Sequence, residues 1–291
     1  MTTDGTGMRN VLITGASTGI GEACALRLDR NGWRVFAGVR KEADAQRLKQ
    51  GASDRLTPIT LDVTNQQQID AAAQTVAQAA GEGGVQGLVN NAGISVTGPL
   101  EFLTPDDMRK QLEVNVIGQV AMIQAFMPLI RKGKGRIVNI GSIAGKMSTP
   151  FLSPYCASKH AMEAISDALR QELRPWGLHV ALIEPGSIAT PIWEKGQEDA
   201  DEMVKNAPEE AIKLYGKSFD ALREAARKFA DAGIPADRVA RSVEHALTSG
   251  RPRTRYIVGF DATVQSIIRR VVPDRLRDRL VASQLKLPGK P

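Results

Sequence analysis

The sequence predicts a doubly wound α/β fold, a single parallel sheet with helices on both faces. Three observations predict it. Short, continuous apolar runs alternate with amphipathic segments of helical period through the first 185 residues. The runs lack the inside–outside alternation of a half-exposed strand, so each is expected to be buried on both sides. A glycine-rich turn joins the first run to the first helix. With right-handed crossovers, the expected strand order is 3-2-1-4-5-6-7.

Residues 10–14 (NVLIT) read as the first strand, and the turn leads into a helix over about 20–30. Residues 33–39 (WRVFAGV) and 56–61 read as the second and third strands, with helical patterns over 42–50 and 66–80. The fourth, fifth and sixth strands fall at 86–89, 136–140 and 179–183, with helices over 105–131 and 155–174. Thr104 as N-cap, Pro105 at N1 and Asp107 at N3 give the first of these a capping-box start. Residues 187–232 break the rhythm with charged, Ala-rich helical stretches and no strand, as an insertion beside a substrate would. Residues 255–258 (RYIV) read as the last strand. No repeat or low-complexity linker divides the 291 residues. One domain is expected, with its core over about 8–260 and a basic amphipathic tail over 261–291.

The hydrophobic share of 42% and charged share of 24% suit a folded soluble protein and argue against a disordered one. Cys24 and Cys156 cannot build a disulfide framework and, like the scattered His160, His179 and His245, lack metal-ligand spacing. No metal is expected, both thiols read as structural, and a reducing, cytoplasmic compartment fits. Residues 1–10 show no apolar signal region and no run of 18 apolar residues occurs, so no membrane span is expected. The net charge of +6 is a property of the tail: residues 251–291 hold ten Lys/Arg against three Asp/Glu, and the rest is nearly balanced. Without interleaved aromatics, such a tail is not a nucleic-acid footprint, and no nucleic-acid partner is expected.

The turn reads Thr14-Gly15-Ala16-Ser17-Thr18-Gly19-Ile20-Gly21. Glycines at 15, 19 and 21 let the chain turn sharply and approach a pyrophosphate without Cβ interference. The helix N-terminus behind them offers free N–H groups and a positive dipole end. The spacing is GxxxGxG, not the GxGxxG of the usual dinucleotide fingerprint.

This turn, with Asn90-Asn91-Ala92-Gly93, Asn115, Ser142, Tyr155-x-x-x-Lys159 and Pro185-Gly186, resembles the short-chain dehydrogenase/reductase family in order and spacing over roughly residues 8–260. The helix YCASKHAMEAISDALRQEL is similar to that of its retinol and 17β-hydroxysteroid dehydrogenases. The resemblance implies a Rossmann-type domain that moves a hydride between a nicotinamide cofactor and an alcohol or carbonyl. It implies cofactor contacts from Gly15, Ser17, Thr18, Gly19, Ile20, Gly21, Ala92, Gly93, Tyr155, Lys159, Pro185, Gly186, Ile188 and Thr190. It also places Asp62 and Val63 at the adenine, Asn91 near the adenosine ribose, and Asn115 on a water that relays protons from the lysine. Family members are commonly dimers or tetramers, so a homo-oligomer is implied.

Where an NAD-specific fold presents a carboxylate after the second strand, this chain has Arg40 and Lys41. A guanidinium can grip a 2′-phosphate that a carboxylate would repel, so NADP(H) is expected over NAD(H). Tyr155 and Lys159 lie four apart on one helix face. A phenol titrates near 10, and bringing it towards 7 needs about 4 kcal/mol of preferential phenolate stabilisation. Burial works against that, so nearby positive charge must supply it. Ser142 ends the fifth strand, at the edge where such sheets bind ligands, and its hydroxyl can hold the substrate oxygen against Tyr155.

The residues expected around the substrate are mostly apolar: Ile143, Met147, Phe151, Leu152, Ile188, Ile192 and Trp193, with Lys146 and Lys195 as polar anchors. They favour a lipophilic alcohol or ketone. A reductase of polar or acyl-thioester carbonyls and a non-catalytic NADP(H)-sensing module are the alternatives. In the tail, Val264, Ile267, Ile268, Val271 and Val272 follow helical spacing among arginines. One reading is peripheral contact with anionic lipid; the other is docking on the domain or a neighbouring subunit.

Overall fold

The computed structural model describes residues 7–190, 205, 208–231 and 233–287. Seven parallel strands form the main sheet: β1 (Arg9–Ile13), β2 (Trp33–Val39), β3 (Leu56–Thr60), β4 (Gly87–Asn90), β5 (Arg136–Ile140), β6 (His179–Pro185) and β9 (Arg255–Val258). Their order is β3-β2-β1-β4-β5-β6-β9. This is the expected order; the last strand is the ninth because β7 (Ile188–Ala189) and β8 (Ile234–Pro235) form a small parallel pair of their own. β7 lies in the stretch 187–232, expected to contain no strand, and β8 just after it.

Alternation along β1 shows why the strands read as continuous apolar runs. Val11 and Ile13 pack into one core and Leu12 into the other. The first core is covered by α1 (Gly19–Arg30), α2 (Glu42–Gln50) and α8 (Ala236–Thr248), through Cys24, Leu28, Leu48, Val243 and Leu247. The second is covered by α3 (Gln66–Ala80), α5 (Gly118–Lys132) and the end of α6 (Ser153–Glu172), through Ile69, Val76, Met122, Phe126 and Leu169. Burying one such side chain contributes about 1.5–3 kcal/mol. Both cysteines are buried, and burial raises the Cys24 thiol to about 12 and the Cys156 thiol as well, so neither is a reactive thiolate.

The expected helix over 105–131 is interrupted. It forms α4 (Pro105–Leu112), a π-helical turn over Glu113–Ile117, and then α5. Its start is as expected: Asp107 N–H donates to Thr104 Oγ1 (3.1 Å) and Thr104 N–H to Asp107 Oδ2 (2.9 Å). By length and hydropathy Pro105–Lys132 could cross a membrane, but its apolar face packs against the sheet.

α7 (Glu209–Asp231) belongs to the insertion. α9 (Phe260–Val271) and α10 (Asp274–Gln284) form the tail. Ser218 on α7 donates to the carbonyl of Lys286 (3.0 Å), which anchors the tail's end.

Candidate active site

Gly15 (φ +62°) and Gly19 (φ +60°) adopt left-handed backbone that other residues rarely take. A Cβ on Gly15 would lie 2.8 Å from Ala92 Cα, and one on Gly21 would lie 2.2 Å from the Gly15 carbonyl oxygen. The turn thus closes on itself and on the loop after β4, leaving the N-terminus of α1 as a cradle lined by backbone. Thr18 caps α1 in extended conformation without a side-chain bond, so the first N–H groups of the helix are not satisfied by a side-chain cap. These features fit a dinucleotide pyrophosphate. Asn91 is the buttress of the turn: its side-chain amide donates to the carbonyls of Thr14 (3.0 Å) and Gly15 (2.9 Å).

At the end of β2, Arg40 and Lys41 are exposed, and neither side chain makes a hydrogen bond or ion pair among the described residues. Asp62, after β3, accepts from Thr64 N–H (2.9 Å) and Oγ1 (2.7 Å). Burial raises its pKa, but the Thr64 bonds and the nearby Arg40 charge outweigh that and hold it below the usual carboxylate value. Val63 is buried against α5, where a Cβ on Gly118 would meet its carbonyl at 2.7 Å.

The four predicted catalytic side chains come from three neighbouring elements. Ser142 follows β5, Tyr155 and Lys159 lie on α6, and Asn115 sits in the π turn. Ser142 Oγ accepts from Ala144 N–H (3.1 Å), and the Ser142 side chain acts on the Tyr155 phenol to draw its pKa down. Lys159 Nζ donates to the carbonyl of Ile140 (2.8 Å) and stands 5.6 Å from the Tyr155 ring centre. Lys159 as a whole is 7% exposed. Burial lowers the Lys159 pKa from 10.5 to about 8 and raises that of the Tyr155 phenol, against which the Ser142 side chain pulls. The cofactor-free site therefore holds a neutral phenol beside a readily released ammonium proton.

Asn115 Oδ1 accepts from Ile94 N–H (2.9 Å), and its Nδ2 donates to Ile94 O (3.0 Å) and Ser158 Oγ (3.1 Å). Ser158 Oγ in turn donates to the Tyr155 carbonyl (2.7 Å). Asn115 is one of three buried amides at i, i+4 and i+8. Gln111 Oε1 accepts from Val96 N–H (2.7 Å) and its Nε2 donates to Ile94 O (2.9 Å), while Gln119 donates to Ala92 O. The stripe pairs with alternate residues of the extended segment 92–96 and holds the loop carrying Ala92 and Gly93. Sequence reading singled out only Asn115; Gln111, Gln119 and Ser158 were missed. Three amides at fourfold spacing, Gln111, Asn115 and Gln119, were the signal.

Beyond the tetrad, Ile143, Phe151 and Ile188 are buried and Met147 and Leu152 half-buried. Ile192, Trp193 and Lys195 lie outside the described residues. Lys146 departs from expectation as a substrate anchor: its ammonium pairs with the fully buried Glu184. Phe151, at φ +68°, packs its ring against Tyr215 (5.7 Å between centres) and Phe219 (5.7 Å) of α7. Pro185 ends β6; Gly186 N–H donates to Val258 O (2.9 Å), and Thr190 Oγ1 donates to Ile188 O (3.4 Å).

Residues 9–201 match the family described as short chain dehydrogenase. The chain is 40% identical to retinol dehydrogenase 7 of Rattus norvegicus over 276 residues, covering 93% of this chain and 87% of that one. It is 38% identical to 17-beta-hydroxysteroid dehydrogenase type 6 of Homo sapiens over 285 residues, 96% and 90% of the two chains. A short chain dehydrogenase from Burkholderia cenocepacia solved with NADP superimposes with TM-score 0.69 at 26% identity, over 99% of this chain and all of that one. One from Burkholderia phymatum solved with NAD has TM-score 0.76 at 24% identity, covering 100% and 99%, and shares the fold. With the cradle, the strand order and these likenesses in agreement, the chain belongs to the short-chain dehydrogenase family and is a nicotinamide-dependent oxidoreductase.

Proposed function

We propose that this protein transfers a hydride between NADP(H) and a lipophilic alcohol or carbonyl of retinoid or steroid type. Ser142, Tyr155, Lys159 and Asn115 carry the proton chemistry. The observation that bears most weight is the buried Lys159 side chain, its Nζ 5.6 Å from the Tyr155 ring centre and held by the Ile140 carbonyl at the end of β5, two residues before Ser142. Ser142 holds the substrate oxygen, and Tyr155 gives or takes its proton. Lys159 supplies positive charge and, through the Ile140 carbonyl, stays fixed against β5. Asn115 and Ser158 lock the loop after β4 to the start of α6. Bound at the glycine cradle, the nicotinamide cofactor supplies or accepts the hydride.

NADP(H) is favoured because Arg40 and Lys41 are exposed cations at the end of β2 whose side chains make no hydrogen bond or ion pair among the described residues. The lipophilic substrate class rests on the apolar wall of Ile143, Met147 and Phe151, the aromatic side chains of α7, and the retinol and steroid dehydrogenases among the relatives. We read the chain as one domain. The outer edge of β9 has no partner strand among the described residues, which suits pairing in a homo-oligomer. The tail suits peripheral contact of a cytoplasmic enzyme with anionic lipid: Phe260, Ile267 and Val271 are 84%, 56% and 70% exposed, and Arg269, Arg270, Arg275 and Arg279 are exposed around them.

A panel of retinoids, steroids and fatty alcohols, assayed at 340 nm with both cofactors, identifies the substrate. On the best of them Tyr155→Phe is expected to remove turnover while NADPH still binds, as read by fluorescence titration. Full activity in that variant overturns the assignment.

A further inference from the structure

Five charged side chains meet beside the site without belonging to it. Glu184, on β6 one residue before Pro185, is fully buried. Its Oε2 pairs with Lys146 Nζ, and its Oε1 lies 3.2 Å from Arg255 Nε on β9. Arg255 also donates to Glu163 Oε2 (2.9 and 3.0 Å) and Asp167 Oδ2 (2.7 Å) on α6. Burial and the Glu184 charge raise the Glu163 carboxyl, while the carboxylates hold Arg255 more firmly protonated.

The sequence offsets tie this cluster to the reaction. Lys146 is four residues after Ser142, Glu163 one helical turn after Lys159, and Glu184 next to Pro185-Gly186. Between Ser142 and Lys146 the chain rests on α6 itself: a Cβ on Gly145 would lie 2.9 Å from the Lys159 carbonyl and 3.2 Å from Glu163 Cγ. The tail closes the frame. Arg269 Nε donates to Lys146 O (3.2 Å), and Asp261 Oδ2 accepts from Ser187 N–H (2.7 Å).

Burying ions is weak support for stability, since apolar residues of similar size often do as well. What a buried, branched ion network provides is one geometry for the elements it joins. We propose that Lys146, Glu184 and Arg255 are positioning residues for hydride transfer. They hold the Ser142 turn, the Tyr155–Lys159 helix and the Pro185-Gly186 loop in one register, so that the two hydroxyls meet on the same substrate oxygen. The proposal rests on the reading of Ser142, Tyr155 and Lys159 as the catalytic groups.

The test compares parent, Lys146→Met, Lys146→Arg, Glu184→Gln and Tyr155→Phe, full length, on the best substrate of the panel. A misplacement of about 1 Å is associated with about a 100-fold loss of rate. Lys146→Met and Glu184→Gln are therefore expected to lower kcat by about 10- to 100-fold. NADPH should still bind, since the glycine cradle before α1 shares no residue with the cluster, and Lys146→Arg should recover most of kcat. A role in stability alone would lower Tm and leave kcat per folded site unchanged. Should Lys146→Met not fold, Glu184→Gln against the parent decides. Unchanged kcat in a folded, cofactor-binding Lys146→Met or Glu184→Gln, with Tyr155→Phe inactive, overturns the positioning role alone. Turnover by Tyr155→Phe, or none by the parent on the panel, removes the reading beneath it.

Discussion

Replacing Lys159 by Met tests the electrostatics of the site without any substrate. Burial takes the folded-state pKa of Lys159 from 10.5 to about 8. That drop corresponds to about 3 kcal/mol of penalty on the charged form in the folded protein. Below pH 8 the lysine is protonated both folded and unfolded, so the full penalty applies. Between 8 and 10.5 the unfolded chain binds more protons than the folded one, and stability rises with pH; above 10.5 the penalty is gone. Between pH 7 and pH 10 the parent should therefore gain about 2.5 kcal/mol on Lys159→Met. Losing the bond to Ile140 O adds an offset that does not depend on pH. The assay is urea unfolding of both cofactor-free proteins at pH 7, 8, 9 and 10. Taking their difference cancels the other titrating groups. A gap that stays constant within about 0.5 kcal/mol, smaller than the expected change, would show that the ammonium is not desolvated as the structure describes.

Arg40→Ala is expected to weaken NADPH binding by about tenfold or more and leave NADH nearly unchanged, because a charged hydrogen bond of about 1.5–3 kcal/mol is lost only with the 2′-phosphate. Equal weakening of both, by fluorescence titration, would separate Arg40 from the phosphate. Replacing Ile267 and Val271 by Ser should reduce co-sedimentation with phosphatidylserine vesicles while solution turnover stays unchanged. Co-sedimentation equal to the parent's would return the exposed face of α9 to a docking role within or between protein chains.

A feature of this fold is legible in the sequence when its cause is local. The strands were legible because two-sided burial leaves an unbroken apolar run, and the strand order followed from crossover handedness. The glycine turn was legible because φ above zero and close backbone approach both select glycine. α8 was overlooked although Val239, Ala240, Val243, Ala246 and Leu247 recur at helical spacing and are all buried. Its alanines carry little hydropathy signal and its arginines face water. The π turn was invisible for a different reason. Backbone widening at Glu113–Ile117 accompanies bonds between Asn115 and Ile94, 21 residues away, and no local propensity encodes that contact. Lys146 was misread because its partner, Glu184, is 38 positions distant.

The direction in which the site is poised follows from its own groups. Proton donation to a carbonyl oxygen needs a neutral phenol and a way to replace its proton. Burial keeps the Tyr155 phenol neutral, and Lys159, near 8, is still about 90% protonated at pH 7. In the proposed roles of Tyr155 and Lys159, the side chains alone therefore set the site for reduction. Proton abstraction from an alcohol asks for the opposite state, a phenolate in a buried position, and among the described side chains only Lys159 stands close enough to offset that cost. Its single charge must overcome both the intrinsic phenol pKa and the burial that raises it further. Oxidation then requires additional positive charge next to Tyr155, which an oxidised nicotinamide cofactor would supply when bound. The alcohol-oxidising rate should accordingly rise with pH well above neutrality, while the reducing rate falls once pH passes the Lys159 midpoint near 8.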